Sequence, residues 1–233
     1  MPHKLLERLK ERVLICDGAM GTMLQAAGLD SGGCGEVWNV NHPEKVKAIH
    51  RAYFEAGSDV VITNTFGGSP LRLKEYGLRD QVQEINRAAA QNARAVADEF
   101  DGLVLGDIGP TGQLLQPNGN LTPEEVFEGF REQSQALVEG GVDGLIVETM
   151  ISAEEMALAV RGARACTDLP IIACISYDKT RFGYRTMMGE KVDQCVKLAV
   201  DAGADIPATN CGLGIEDMIG VVQALRACTD KPI

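Results

Sequence analysis

Carboxylates, amides and one thiol follow the short apolar runs of this sequence, at the points where those runs end. These groups lie in the segments Asp17-Gly18-Ala19-Met20, Asn64-Thr65-Phe66-Gly67, Asp107-Ile108-Gly109-Pro110-Thr111-Gly112, Glu148-Thr149 and Asn210-Cys211-Gly212. Acidic side chains pair with an ammonium group, and backbone N–H groups exposed at glycines receive a carboxylate. Together they predict a pocket for a zwitterion, and a small amino acid fits this chemistry.

Cys211 is the group in this set with the chemistry of a metal ligand or a nucleophile. A thiol at the carboxyl end of a parallel strand is placed for either role, yet a zinc ion takes three or four protein ligands. Each residue taken singly also fits a structural role: Asp17, Asp107 and Glu148 as hydrogen-bond acceptors that cap loop amides, and Cys211 as a buried apolar core residue. Their recurrence at one structural position favours a shared site.

Strand and helix patterns alternate along the chain. Short apolar runs rich in β-branched residues predict strands at Val13 to Cys16, Asp59 to Thr63, Leu103 to Gly106, Gly144 to Val147, Ile171 to Ile175 and Asp205 to Thr209. Capping boxes predict that helices begin after Thr122 and Ser152. Gly57, Gly141 and Gly203 are expected to end helices in the left-handed conformation, each two residues before a strand.

Repeated βα units form either an open doubly wound sheet or a closed eight-stranded barrel. A dinucleotide-binding sheet carries Gly-x-Gly-x-x-Gly after its first strand, whereas the run from Asp17 to Thr22 has another spacing and no phosphate-loop lysine follows. We therefore expect an α/β fold of the (β/α)8 TIM-barrel type. In that fold the strand ends that carry these polar groups meet at one face.

Composition excludes several classes of partner. The 233 residues are 45% hydrophobic and carry a net charge of -11, which indicates one globular domain over residues 1–233 and argues against nucleic acid or anionic membrane as a partner. There is no apolar stretch of spanning length, and the N-terminus has no signal-peptide pattern. The 7 cysteines include no Cys-x-x-Cys, so we expect reduced thiols and a cytoplasmic location.

The five motifs, in this order, resemble those of the homocysteine S-methyltransferase family, and within it the homocysteine-binding modules of the cobalamin-dependent members. The resemblance runs from about Leu14 to the C-terminus. It implies a (β/α)8 barrel that binds zinc through three cysteines and holds homocysteine as a thiolate, which attacks an activated methyl group. It also implies partners: methylcobalamin or a related donor supplies the methyl group, and methylcobalamin is recharged by methyltetrahydrofolate on separate corrinoid and folate modules or proteins. Other members of the family use betaine or S-methylmethionine as donors.

The resemblance also implies roles for individual residues. Cys211 matches the first zinc ligand, and Asp17 and Glu148 match acidic positions that hold the homocysteine amino group. The backbone from Gly18 to Met20, including Ala19, matches the loop that receives the carboxylate. The remaining substrate-binding positions are expected to be Asn64, Asp107, Thr149 and Asn210. No side chain is assigned a catalytic role.

The sequence departs from the family pattern towards its C-terminus. The other two zinc ligands of the family are adjacent cysteines, and this sequence has no Cys-Cys pair. The segment from Ala165 to Ile171 recurs with one change at 227–233, so Ile233 is expected to open a seventh strand. We therefore expect a barrel truncated after six βα units, with a zinc site incomplete at Cys211 and with exposed edges that favour association. Packing is the expected role of Cys16 and Cys174.

Two further classes of function remain open on the sequence. One is a non-catalytic amino-acid-binding or scaffold subunit that a partner chain completes. The other is a barrel lyase or aldolase, against which the lack of a strand-end lysine and of a phosphate-type glycine loop argues.

Overall fold

The computed structural model describes residues 3–233, and its main sheet is parallel throughout. The five strands of this sheet are β1 (Val60–Ile62), β2 (Leu103–Ile108), β3 (Gly144–Met150), β4 (Ile171–Ile175) and β7 (Ile206–Thr209), and they lie side by side in this order. A separate antiparallel hairpin, β5 (Asp178–Thr180) and β6 (Gly183–Arg185), follows β4. No sequence pattern described above predicts this hairpin.

Helices alternate with the strands. They are α1 (Lys4–Glu11), α2 (Gly21–Ala26), α3 (Trp38–Asn41), α4 (Pro43–Glu55), α5 (Pro70–Leu73), α6 (Val82–Ala97), α7 (Pro123–Glu139), α8 (Ala153–Arg164), α9 (Val192–Ala202) and α10 (Ile215–Cys228), with 3-10 turns at Lys74–Tyr76 and Arg79–Gln81. Within residues 3–233, no helix combines the length and apolar character needed to cross a bilayer.

The strand order identifies the architecture. Each strand of the main sheet pairs with the one before it and the one after it in that sheet, whereas a doubly wound sheet reverses direction at a switch point. Sequential order is the arrangement of strands around a barrel. Among residues 3–233 the sheet does not close on itself, and residues 229–233, where a seventh strand was expected to open, form no strand.

The expected first strand, Val13 to Cys16, is wrong in extent. This segment lies beside β1 but makes only one strand-type bridge, between Cys16 and Val60. The N–H of Ile15 donates to the carboxylate of Asp59 instead of to a strand carbonyl, at 2.9 Å.

The strands separate two apolar cores. One side faces the helices α6 to α9 through residues such as Val104, Leu145 and Val147. The other side packs on α1 and is formed by Leu5, Val60, Leu103, Leu105, Ile146, Cys174 and Ile206. Side chains alternate along a strand, so Asp107 and Glu148, each two residues beyond a member of the second core, point to that inner side.

A repeated joint secures the amino ends of alternate strands. In each joint, an aspartate that precedes one strand makes two hydrogen bonds with one residue of the neighbouring segment that comes earlier in the chain. The aspartate N–H donates to the backbone carbonyl of that residue at 2.8 to 2.9 Å, and the aspartate carboxylate accepts the N–H of the same residue at 2.8 to 3.0 Å. The pairs are Asp59 with Ile15, Asp143 with Val104, and Asp205 with Ile171. Their ion-pair partners are Arg12, Arg94 and Arg164.

The predicted ends of the preceding helices are confirmed. Gly57, Gly141 and Gly203 have φ of 106, 95 and 109°, which favours glycine.

The sequence repeat formed by residues 165–171 and 227–233 is also present in the structure. Arg164 donates to the carbonyls of residues 167 and 169, and Arg226 donates to those of residues 229 and 231.

Candidate functional site

A cavity of about 610 Å³ opens at the carboxyl ends of the strands. Seven of the predicted residues line it: Asp17, Gly18, Ala19, Met20, Asn64, Asp107 and Glu148. The lining also includes residues that the sequence analysis did not assign: Glu36, Thr63, Thr65, Phe66 and Tyr76. Thr149, Asn210 and Cys211 lie outside the lining, in an adjoining cluster.

Asp107 is the most deeply buried acid of the cavity, with 5% of its surface exposed. Its backbone N–H donates to Thr63 Oγ1 at 2.9 Å, and its backbone carbonyl accepts from Thr65 Oγ1 at 2.8 Å. No donor within residues 3–233 reaches its carboxylate Oδ1. Burial, with the neighbouring charges of Glu148, Glu36 and Asp17, raises the pKa of Asp107 well above its ordinary value. A cationic or hydrogen-bond-donating ligand would satisfy this group.

Asp17 and Glu148 bring two more carboxyl groups to the same cavity. Asp17 accepts the N–H of Ile62 on Oδ2 at 3.0 Å, and burial raises its pKa to about 7. Burial also raises the pKa of Glu148. Carboxylates that share a poorly solvated site resist ionising together, and a bound cation relieves the repulsion. The site is therefore electrostatically suited to an ammonium group.

Glu36 is a fourth acid at the cavity. Its Oε1 accepts the N–H of Gly67 at 2.7 Å, and a Cβ at Gly67 would lie 2.7 Å from that oxygen, so a side chain there would displace the Glu36 carboxylate. Glu36 does not follow an apolar run, and for this reason strand-end reasoning missed it. The available signal was the glycine-rich stretch Gly32-Gly33-Cys34-Gly35 directly before it.

The loop from Gly18 to Met20 offers unused donors. No acceptor within residues 3–233 takes the backbone N–H of Gly18, Ala19 or Met20. Tyr53 fixes the loop by donating its hydroxyl to the carbonyl of Ala19 at 2.8 Å. A Cβ at Gly18 would lie 3.0 Å from the Tyr53 side chain, so a larger residue there would have to displace the Tyr53 ring slightly. Exposed N–H groups of this kind suit an anionic oxygen.

Asn64 connects the cavity floor to the loop that carries Glu36. Its Nδ2 donates to the carbonyl of Gly35 at 2.8 Å, and its own carbonyl accepts from Asn39 Nδ2 at 2.8 Å. Asn64 is buried, and its amide is engaged with the protein. The geometry gives it a structural part in shaping the cavity wall.

Thr149, Asn210 and Cys211 form a cluster next to Glu148. Asn210 Oδ1 accepts the N–H of Thr149 at 2.9 Å, and its Nδ2 donates to Thr149 Oγ1 at 2.9 Å and to Glu148 Oε2 at 3.4 Å. Thr149 Oγ1 lies 3.5 Å from Cys211 Sγ. The amide of Asn210 thus links the thiol-bearing cluster to the cavity.

The donor set within residues 3–233 does not fit a zinc ion. No three His, Cys, Asp or Glu side chains in this part of the chain are grouped to hold a metal. Cys174 is buried, and this raises the pKa of its thiol well above the usual value. Cys16 is exposed, so the packing role expected for it is wrong. Cys211 is exposed and stands as a single potential ligand.

Comparisons with known proteins agree on one family. The sequence profile of the homocysteine S-methyltransferase family matches residues 14–233. The methionine synthases of Mycobacterium tuberculosis and Mycobacterium leprae are each 33% identical to this chain, over 230 and 232 residues. Each match covers 92% of this chain and 19% of the relative, so the chain spans about a fifth of the length of these proteins.

Solved structures show the same fold. The homocysteine methyltransferase MmuM from Escherichia coli, in its metallated form, superposes with a TM-score of 0.83 over 97% of this chain and 83% of that chain, at 21% sequence identity. Its oxidised form gives a TM-score of 0.82. The predicted barrel-type α/β fold is confirmed by this likeness.

Proposed function

Since the chain belongs to the homocysteine S-methyltransferase family, we propose that it binds L-homocysteine as a zwitterion and presents the sulfur for methylation. The observation that carries the proposal is the buried Asp107 carboxylate, which has an Oδ1 without a donor from residues 3–233 and faces a cavity shared with two other predicted acids. Residues 1–233 then act as one homocysteine-binding domain.

The amino group of the substrate binds the acids in this proposal. An ammonium group donates three hydrogen bonds, and Asp17, Asp107 and Glu148 supply acceptors around one cavity. Its positive charge favours the ionised carboxylates, so binding releases protons from the cluster. The ligand therefore supplies the charge compensation that the free site lacks.

The substrate carboxylate binds the loop from Gly18 to Met20. The N–H groups there donate to no acceptor within residues 3–233, and Gly18 has no side chain to block a carboxylate. When the ammonium and carboxylate groups of homocysteine are both bound, the orientation of its sulfur-containing side chain is fixed as well. The link from Glu148 through Asn210 to Thr149 supports an orientation with the sulfur towards the Cys211 cluster.

The reaction itself is a methyl transfer between two nucleophiles. A sulfur lone pair attacks the methyl carbon, the bond from that carbon to the donor breaks, and its electron pair stays on the donor. The thiol must first lose its proton, because the thiolate is the reactive form. Zinc would supply that activation when bound, and Cys211 is the ligand that this chain offers, although residues 3–233 do not fit the metal by themselves.

The methyl donor is proposed to be methylcobalamin on a separate corrinoid module or protein, recharged from methyltetrahydrofolate. Support comes from the motif resemblance and from the far greater length of the methionine synthases that the chain matches. The proposal places the protein in the cytoplasm, where its 7 cysteines stay reduced.

Isothermal titration calorimetry tests substrate binding. L-Homocysteine is expected to bind, whereas 4-mercaptobutanoate, which lacks the amino group, should bind far more weakly. Zinc content and homocysteine affinity are measured on the same chain and on a version extended through a family-type Cys-Cys segment. If the extended protein also failed to bind homocysteine, the proposal would be wrong.

A non-catalytic homocysteine-binding subunit is the second candidate function. One observation favours it, namely that no metal-binding group of side chains exists within residues 3–233. Methionine formation from L-homocysteine and methylcobalamin, assayed with added zinc, separates the two candidates. Homocysteine binding without turnover, in the extended chain as well, would favour the binding subunit.

A further inference from the structure

Gln133 places both hydrogens of its side-chain amide on two neighbouring strand ends. It lies on α7 and is fully buried. Its Nε2 donates to the carbonyl of Thr65 at 2.9 Å and to the carbonyl of Asp107 at 3.1 Å. Thr65 follows β1 and Asp107 belongs to β2, so a single side chain from an outer helix joins two edges of the cavity.

The Asp107 peptide is held from both sides. Thr65 gives its single hydroxyl proton to the carbonyl of Asp107 at 2.8 Å. In the 2.7 Å contact between the two threonine hydroxyls, Thr63 is therefore the donor, and it also accepts the N–H of Asp107 at 2.9 Å. The backbone around the carboxylate is thus fully hydrogen-bonded, while Oδ1 is left for the cavity.

Gly68, which has no side chain, lets the amide of Gln133 approach these carbonyls. A Cβ at Gly68 would lie 2.8 Å from Gln133 Nε2 and 2.9 Å from the carbonyl of Thr65, and 2.4 Å from Asn86 Oδ1. Such distances are too short for any side chain. Glycine at position 68 is therefore a condition of the contact.

Stability alone does not account for an amide at this position. The Oε1 of Gln133 is buried and accepts no hydrogen bond within residues 3–233. An acceptor buried without a donor destabilises the folded state. The two hydrogen bonds that Gln133 donates to the carbonyls of Thr65 and Asp107 compensate for this loss of stability. They lie beside the Asp107 side chain, which lines the cavity.

We propose that Gln133 is a positioning residue for the amino-acid pocket: by holding the backbone carbonyl of Asp107, it sets where the Asp107 carboxylate stands. The inference rests on the proposed function and deepens it. Gln133 does not line the cavity, so it acts on binding through the residues whose carbonyls it holds, and of these Asp107 carries the carboxylate that would meet the ammonium group.

A double-mutant cycle tests this dependence. Gln133→Met keeps the length of the side chain and removes both donors, and it is expected to weaken L-homocysteine binding by about tenfold in calorimetry. In the Asp107→Asn background the same change should alter the affinity by less than about twofold. Ser134→Ala is the matched control, because Ser134 is also fully buried on α7 and, within residues 3–233, its hydroxyl bonds only to the carbonyl of Phe130. Equal losses from Gln133→Met in both backgrounds would overturn the proposal.

A second measurement does not depend on homocysteine. The 13C resonance of the Asp107 carboxyl, assigned by its disappearance in Asp107→Asn, is followed against pH. Gln133→Met should displace its titration midpoint and Ser134→Ala should not; an unmoved midpoint would overturn the proposal even if homocysteine fails to bind. Should Gln133→Met not fold, Gln133→Leu takes its place, since it also removes both donors without adding a titrating group, and the same displacement is expected.

Discussion

Thr149 Oγ1 lies 3.5 Å from Cys211 Sγ, and both residues have a left-handed backbone, with φ of 58 and 60°. A β-branched residue rarely adopts this conformation, and cysteine seldom does. Each such residue costs of the order of 1 to 3 kcal/mol and is retained where the surrounding structure fixes it. Here Asn210 fixes the pair, because its amide bonds the N–H and the hydroxyl of Thr149. Strain is therefore concentrated beside the cavity, in the cluster that carries the thiol.

Cys211→Gly is expected to raise the free energy of unfolding by about 1 kcal/mol, because glycine adopts a positive φ without steric cost. This value is a net gain, since glycine also gives the unfolded chain more conformational freedom, which lowers stability. Urea denaturation measures it. Cys211→Ala retains the Cβ and serves as the control, for which no gain is expected. A glycine variant no more stable than the alanine variant would show that the backbone at position 211 carries no strain.

Asp107→Asn is expected to weaken L-homocysteine binding by about tenfold to a hundredfold, because a hydrogen bond to a charged group contributes about 1.5 to 3 kcal/mol. The affinity for 4-mercaptobutanoate should stay unchanged, since that molecule has no ammonium group. Calorimetry measures both. Asp168→Asn is the control, an exposed acid before β4. Equal losses for the two ligands would mean that Asp107 does not bind the amino group.

The pH dependence of binding follows from Asp17, whose buried carboxyl has a pKa of about 7. An ammonium ligand prefers the ionised carboxylate, so L-homocysteine affinity should rise from about pH 6 to about pH 8, as protonated Asp17 becomes rarer. Binding near pH 6 should release protons, which calorimetry in buffers of different ionisation enthalpy detects. In Asp17→Asn this rise should be reduced. An affinity that falls over the same range in the wild-type protein contradicts the expected sign.

Much of the fold could be predicted from local sequence. The capping box at Thr122 is present, with its hydroxyl accepting from Glu125 N at 3.2 Å and the Glu125 carboxylate accepting from Thr122 N at 2.9 Å. The box at Ser152 is only half formed, since the Glu155 carboxylate instead accepts from the N–H and hydroxyl of Thr111, each at 2.7 Å. The tertiary contact replaces the local one because Thr111 and Glu155 are both buried, so each needs a hydrogen-bond partner inside the protein.

Strand-end reasoning could find most of the site, because parallel strands bring their carboxyl ends to one face. It found Asp17, Asp107 and Glu148 for this reason. It missed Glu36 and Gln133, which come from a loop and from an outer helix. Their relation to the cavity depends on packing between distant segments, and no local pattern marks it.

Acid sensitivity is expected from His50 on α4. Its ring is fully buried, neither nitrogen has a partner within residues 3–233, and burial lowers its pKa to about 4. The unfolded chain takes up a proton near pH 6.5 and the folded chain does not until about pH 4, so folding stability falls as pH decreases through that window, by about 3 kcal/mol in all. Urea denaturation at about pH 7 and about pH 4.5 should show a smaller decrease for His50→Leu than for the wild type. Equal decreases would exclude His50 as a source of the acid sensitivity.

Asp205→Ala is expected to lower the free energy of unfolding by about 2 kcal/mol, because it leaves the N–H of Ile171 without its acceptor and Arg164 without its ion-pair partner. L-Homocysteine affinity should not change, since the joint lies at the amino end of the strands, away from the cavity. Asp168→Ala provides the comparison and should stay within about 0.5 kcal/mol of the wild type. Loss of affinity in a folded Asp205→Ala protein would show that the two ends of the barrel are coupled.

The joints made by Asp59, Asp143 and Asp205 occur at every second strand, which gives the chain a module of two βα units. In each module the aspartate that secures the earlier strand is synthesised after it, by 44, 39 and 34 residues. On the ribosome, the joint at the amino end of such a strand cannot form until the second half of its module has emerged. The nascent chain therefore gains stability in pairs of units, and a translational pause between the halves of one module would expose an incomplete sheet edge to chaperones and proteases.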